Sequence, residues 1–237
     1  MSSTFRQTRL SPPSSDIYTC DKVVAENSAY CHKFSERKLK EGQHLQFDQW
    51  SLTQIADHFG TDKGSKKHGY TYVYELYFSP LRNTPLRILE LGIHRGASLK
   101  LWSKYFSTSF VTGVDIVPIE KEVFADFANI RTIVADCTKA LPLDKGDYDV
   151  VIDDASHNTD DIVAAFTENF SLLRPGGLWI VEDLHASWSP HPSTIGKINY
   201  GSREVLARFT EKLFRKIDAG KLDWLSYHPK LLVIKSK

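Results

Sequence analysis

The spacing of apolar residues divides the chain into three stretches. In residues 1–45 Ser, Pro, Lys and Glu dominate and apolar positions are scattered, the pattern of an arm without a core of its own. In the second stretch Phe47, Trp50, Leu52, Ile55, Ala56 and Phe59 recur at helical spacing, which predicts a helix with one buried face. A polar break, Gly60-Thr61-Asp62-Lys63-Gly64-Ser65, precedes a second apolar-aromatic segment from Tyr70 to Phe78. From about residue 86 short apolar runs alternate with amphipathic segments. Strands are predicted at Arg87–Leu91, Ser109–Asp115, Ile130–Asp136, Tyr148–Asp153 and Leu178–Glu182. Helices are predicted at Ala97–Phe106, with Leu99, Trp102 and Phe106 on one side, and at Asp160–Leu173, stopped by Arg174-Pro175-Gly176-Gly177. A third spans Ser202–Ala219, with Leu206, Phe209, Leu213, Phe214 and Ile217 on its buried face. Leu225–His228 and Leu231–Lys235 flank Pro229 too closely for an intervening helix and are read as an antiparallel hairpin.

Apolar strands alternating with helices imply a mostly parallel sheet covered on both faces. The expected fold is α/β: a doubly wound, mostly parallel seven-stranded sheet with a C-terminal antiparallel hairpin. Residues 1–45 are the N-terminal arm and 46–237 one domain, with 46–85 as its helical lead-in. A hairpin closing a parallel sheet is a methyltransferase trait rather than a dehydrogenase one.

Composition changes this picture little. The 237 residues carry 30 Lys+Arg against 29 Asp+Glu, so the basic excess of a nucleic-acid binder is missing. Cys20, Cys31 and Cys137 have neither CxxC nor zinc-ligand spacing and read as reduced thiols. No apolar run approaches the roughly 20 residues that span a bilayer, and the first residues lack a signal-peptide core. The expectation is a cytoplasmic protein with no nucleic-acid or membrane partner.

The chemistry gathers where the strands end. In a doubly wound sheet ligands sit beyond the carboxyl ends of the strands. The first strand runs into Glu90-Leu91-Gly92-Ile93-His94-Arg95-Gly96-Ala97-Ser98. Glycines there let backbone approach a ligand, and Ser98 is placed to cap the next helix or donate to a ligand. Asp115 closes the second strand, where an acid accepts hydrogen bonds from ribose hydroxyls. Asp136 closes the third, where an acid accepts from an adenine amino group. The glycine turn alone is a weak signal; three acids at successive strand ends strengthen it.

The fourth strand ends in Asp153-Asp154-Ala155-Ser156-His157 and the fifth in Glu182-Asp183-Leu184-His185. Asp154, Glu182 and Asp183 can converge, and clustered carboxylates call for a cation. Oxygen ligands suit Mg²⁺. Neighbouring residues in a strand face opposite sides, so Glu182 and Asp183 can share an ion only if the strand stops there. His157 is a natural general base. Plainer readings stand beside these: Asp153 orienting backbone, Asp154 capping the next helix, Glu182 and Asp183 as an exposed acidic turn, His157 and His185 as loop histidines.

Glu90 to Gly96 resembles motif I of class I S-adenosylmethionine (SAM)-dependent methyltransferases, E-x-G-x-G-x-G, with His94 at the middle glycine. Ile152–His157 with Trp179–His185 resembles the metal-dependent sugar O-methyltransferases of macrolide biosynthesis, the mycinamicin and tylosin type. Phe59–Gly64, with His68-Gly69-Tyr70 and Tyr74, resembles that family's lead-in beside the cofactor. The likeness runs from about residue 50 to the end. It implies Mg²⁺ ligands at Asp154, Glu182 and Asp183 and His157 as base. It implies SAM contacts at Thr61, Lys63, Glu90, Gly92, Gly96, Ser98, Asp115, Asp136, Cys137 and Asp153, and self-association into a homo-oligomer. The implied reaction moves a methyl group to a sugar or glycoside hydroxyl. A catechol-type acceptor and a SAM-binding module without methylation remain the alternatives.

Overall fold

The computed structural model describes residues 46–184 and 203–237. The expected N-terminal arm, Cys20, Cys31 and His185 lie outside the described residues. A 3₁₀ turn, Phe47–Gln49, leads into α1 (Leu52–Phe59) and α2 (Thr71–Phe78). There follow β1 (Arg87–Leu91), α3 (Ala97–Tyr105), β2 (Phe110–Asp115), β3 (Ile130–Val134), β4 (Tyr148–Asp153), α4 (Thr159–Asn169), β5 (Leu173–Val181), α5 (Arg203–Asp218), β6 (Leu222–His228) and β7 (Leu231–Ser236).

The local signals explain the helix ends. Ser51 and Gln54 form a reciprocal capping box, the Ser51 Oγ accepting from Gln54 N at 3.2 Å and Gln54 Oε1 accepting from Ser51 N at 2.8 Å. Asn158, not Asp154, caps α4 by accepting from Asp160 N at 2.9 Å, with Asp160 and Asp161 in its first turn.

The seven strands form one sheet in the order β3-β2-β1-β4-β5-β7-β6. The pairs among the first five are parallel, and β7 pairs antiparallel with both β5 and β6. The expected sheet and closing hairpin are therefore present. Strand alternation splits the core. Ile88, Val150, Ile152, Ile180 and Val233 face α1, α2 and α3. Leu89, Leu91, Val151, Trp179, Val181 and Ile234 face α4 and α5.

Four details depart from the sequence reading. β3 stops at Val134, so Asp136 lies two residues past it in a turn. α4 ends at Asn169, and a 3₁₀ turn carries the chain to Leu172. Arg174–Gly177 is a bulged part of β5 rather than a plain helix stop, because the register with β4 jumps between Tyr148/Leu173 and Val150/Leu178. On α5, Phe209 and Leu213 are buried but Phe214 is exposed, being one residue off the inward stripe.

The lead-in is joined to the sheet by an aromatic wedge. Tyr74, Phe78, Trp102 and Phe106 are fully buried, with the Trp102 ring 5.1 Å from Tyr74 and 5.6 Å from Phe78 between centroids. Replacing Trp102 with Ala is expected to cost about 3–5 kcal/mol, read as a lowered urea midpoint at unchanged slope.

Candidate active site

The sheet's ladder runs one step past the strands. Gly92 N donates to Val114 O at 2.8 Å, Asp154 N to Leu91 O at 2.9 Å, and Glu182 N to Asp153 O at 2.9 Å. Alternation then fixes direction. Glu90, Asp154 and Glu182 follow Ile88, Ile152 and Ile180 by two, and so project to the face covered by the lead-in helices. Asp153 shares the parity of Val151 and faces the other way. Asp183 escapes alternation because its φ is 52°, which brings its carboxylate back toward Asp154.

The lead-in supplies the partners of these acids. The Lys63 ammonium, 1% exposed, donates to Asp154 Oδ2 and, at 2.9 Å, to Glu182 Oε2, and stands 3.7 Å from Glu90 Oε1. The Tyr74 hydroxyl donates to Glu182 Oε1 and the Tyr70 hydroxyl to Asp183 Oδ1. The family likeness places those two tyrosines beside the cofactor; the structure sets their hydroxyls on the acids instead. The loop bearing Lys63 is tied down by Asp57, which accepts from Ser65 N at 2.9 Å and Ser65 Oγ at 2.5 Å. It packs so closely that a Cβ on Gly64 would stand 2.2 Å from Asp57 Oδ1.

His157, itself at φ 58°, closes the outer side. Its Nε2 lies 3.1 Å from Asp154 Oδ1 and 3.3 Å from Asp183 Oδ2. Ligand atoms of Asp154, His157 and Asp183 all lie within 4.8 Å of one another, the described group able to hold a metal ion. Of the three expected metal acids, Asp154 and Asp183 are thus together, while both oxygens of Glu182 are engaged by Lys63 and Tyr74.

The electrostatics show a shortage of positive charge. Burial alone would lower the Lys63 pKa, but Asp154, Glu182 and Glu90 hold it well above the ordinary lysine value. Burial, and then Asp154, push Glu182 well up against the pull of Lys63. Burial raises Glu90 to about 7 despite Lys63. Asp154 resists burial and stays low because Lys63 and then His157 stabilise its charge. His157 is raised: burial lowers it, but the Asp154 hydrogen bond and Asp183 outweigh that.

The glycine turn is built around Asp115, whose Oδ2 accepts from Ile93 N at 2.9 Å and His94 N at 3.0 Å. His94 takes φ 45°, the left-handed conformation that a glycine would otherwise fill. Gly92, at φ 81°, lies so close to the next loop that a Cβ would stand 2.3 Å from the Asp154 carbonyl oxygen. Ser98 donates to Glu90 Oε2 at 2.8 Å rather than pointing outward. Asp136 is exposed and its charge is stabilised by Thr138, from its hydroxyl at 2.6 Å and its N–H at 2.9 Å. Cys137 is partly buried, and its carbonyl accepts from Asn169 Nδ2 at 2.8 Å. Thr61 Oγ1 lies 3.4 Å from Lys63 N and makes no described contact with the acids. Asp153 has one buried oxygen without a partner, and burial raises its pKa to about 7.

Residues 88–177 match the family model of the methyltransferase domain. The sheet order is that of the Rossmann-like methyltransferase fold, and this stretch of the chain is similar to that domain. Its relatives are more specific. It is 36% identical over 151 residues to the 8-demethyl-8-alpha-L-rhamnosyl tetracenomycin-C 2'-O-methyltransferase of Streptomyces olivaceus, covering 59% of this chain and 39% of that protein. It is 32% identical to the mycinamicin VI 2''-O-methyltransferase of Micromonospora griseorubida, covering 59% and 37%. The alignments therefore span less than two-fifths of these relatives' length. Among solved structures, the MycE methyltransferase of the mycinamycin pathway, in complex with Mg and SAH, aligns with TM-score 0.63 at 24% identity over 78% of this chain and 54% of that one. SAH-bound PaMTH1 of Podospora anserina gives 0.58 at 18%, over 95% and 100%. These two show that the fold is shared.

Two measurements check the geometry. Gly92→Ala is expected to cost about 1–3 kcal/mol of stability, read as a lowered melting temperature, because the added carbon would stand 2.3 Å from the Asp154 carbonyl oxygen at a residue held at φ 81°. Asp153 binds a proton more readily folded than unfolded, so its contribution to stability declines as pH rises from about 4 to 7 and levels off above. Asp153→Asn should remove that decline, flattening the stability profile by about 1.4 kcal/mol per pH unit in that window.

Proposed function

We propose that this chain is a SAM-dependent O-methyltransferase acting on a hydroxyl of a sugar or glycosylated small molecule, assisted by Mg²⁺. The observation that carries the reading is the facing pair Asp154 Oδ1 and Asp183 Oδ2, with the His157 imidazole against both. Two hard oxygens, in a cluster short of positive charge, fit a divalent ion, and the rest of its coordination would fall to water or adjacent acceptor hydroxyls. When bound, Mg²⁺ supplies charge that acidifies an acceptor hydroxyl, and SAM supplies an electrophilic methyl group.

The chain's own residues do the rest. Asp154 and Asp183 would hold the ion, with Glu182 behind them. Asp115 and the Gly92–Gly96 turn fit the nucleoside end of the cofactor, and the partnerless Asp153 oxygen fits an ammonium or hydroxyl donor. His157 takes the acceptor's proton at Nε2 once that nitrogen is unprotonated. The rate gain then comes mainly from alignment and from stabilising the developing oxyanion.

The sugar acceptor rests on the relatives' names, which specify rhamnosyl and mycinamicin substrates. The near-neutral charge argues for a small-molecule acceptor over nucleic acid. No described helix is long and apolar enough to cross a membrane. Self-association is proposed on the family likeness.

Methyl transfer from labelled SAM to a panel of glycosides and catechols, with and without EDTA, tests this. Transfer to a glycoside that EDTA abolishes, and that His157→Ala lowers at least a hundredfold, is expected. SAM binding without any product, or activity indifferent to both changes, would refute it.

A further inference from the structure

Lys63 stands apart from every other described cation: it is buried to 1% exposure, and its ammonium meets three carboxylates from three different strand ends. Sequence likeness assigned it to the cofactor, yet its donors point into the acids.

The acids divide their oxygens in a regular way. Asp154 gives Oδ2 to Lys63 and Oδ1 to His157. Asp183 gives Oδ1 to Tyr70 and Oδ2 to His157. Glu182 gives both oxygens inward, to Lys63 and Tyr74. One layer of oxygens is thus anchored by groups of the lead-in, and a second layer of two oxygens faces His157.

We propose that Lys63 is a resident counter-ion and positioning residue: its ammonium holds Glu182 and the inner oxygen of Asp154, so that only Asp154 Oδ1 and Asp183 Oδ2 are presented to a divalent ion. This rests on the metal-assisted reading for its functional meaning. Its physical content is independent of that reading. Removing the lysine leaves Glu182, Glu90 and the inner oxygen of Asp154 facing one another without the cation that they share, His157 lying on the outer oxygen, which is strongly unfavourable. Removing Glu182's charge as well relieves much of that repulsion. A lysine that only filled space would behave otherwise, because two truncations in a packed site would add or worsen.

The experiment is a melting series on the full chain, in EDTA and in millimolar MgCl₂ or MnCl₂, for wild type, Glu182→Gln, Lys63→Met and Lys63→Met/Glu182→Gln. In EDTA, Lys63→Met should melt roughly 6–20 °C below wild type, and the double variant should recover at least half of that loss. Divalent ions should raise the melting temperature of Lys63→Met more than that of wild type, since a second cation then replaces the missing one. If Lys63→Met fails to fold while the double variant folds, the proposal is supported. Additive losses, or a double variant that also fails to fold, would overturn it. A wild type that responds to no divalent ion would remove the metal reading, while the cycle between Lys63 and Glu182 would still decide the role of the lysine.

Discussion

One buried ammonium among three carboxylates is the contact on which the rest of this molecule turns. Parallel sheets end in unpaired backbone and loops, and this one also ends in Glu90, Asp154 and Glu182 on a single face. Left without a cation, those acids would force the edge apart or take up protons. Lys63 reaches them from a loop that belongs to the lead-in, so the lead-in is bound to the sheet by charge at the edge and by the Tyr74–Trp102 aromatic contact beneath it. Apolar packing sets where α1 and α2 lie; the ion cluster sets how the loop between them ends.

Backbone strain gathers at the same place. Among the described residues His94, His157, Asp183 and Lys230 are the non-glycine positions with positive φ. The first three occupy the loops after β1, β4 and β5. The fourth offers its carbonyl to Leu184 N at 3.1 Å, next to Asp183. Left-handed backbone at non-glycine residues persists where the surroundings over-determine it. Here the determinants are visible: Asp115 accepts from His94 N, His157 is held between two carboxylates, and Asp183 between Tyr70 and His157.

Much of this was legible in the sequence, and the reason is strand alternation. Once Ile88, Ile152 and Ile180 are assigned to one face, Glu90, Asp154 and Glu182 must share it. The seven strands and the closing hairpin follow from the spacing of apolar runs. What the sequence hid was non-local or conformational. Nothing in Lys63 announces a partner 91 residues away, and a likeness to a cofactor-side motif drew it toward SAM instead. Asp183 could join the other acids only if the strand stopped at that point; it stops at Val181, and the positive φ of Asp183 is the conformational part that the sequence did not show. Asp136 was placed at a strand end because the apolar run continues through Ala135, whereas β3 stops at Val134 and Asp136 turns back on Thr138.

The division of oxygens also bears on how an imidazole here can act as a base. With Nε2 against Asp154 Oδ1 and Asp183 Oδ2, His157 is stabilised in its protonated form, as its raised pKa reflects, and a protonated ring accepts nothing. Those two oxygens are the ones suited to a divalent ion. On the proposed reading, an ion and an imidazolium are alternative cations for the same pair of acceptors. Charge placed between the carboxylates would weaken their hold on the ring proton and so lower the pKa of His157. Lys63 cannot play that part, because its ammonium lies behind Asp154, on Oδ2. On that reading the inner cation keeps the acids assembled, and the outer position would decide whether the histidine is a partner to the carboxylates or free to take a proton from an acceptor.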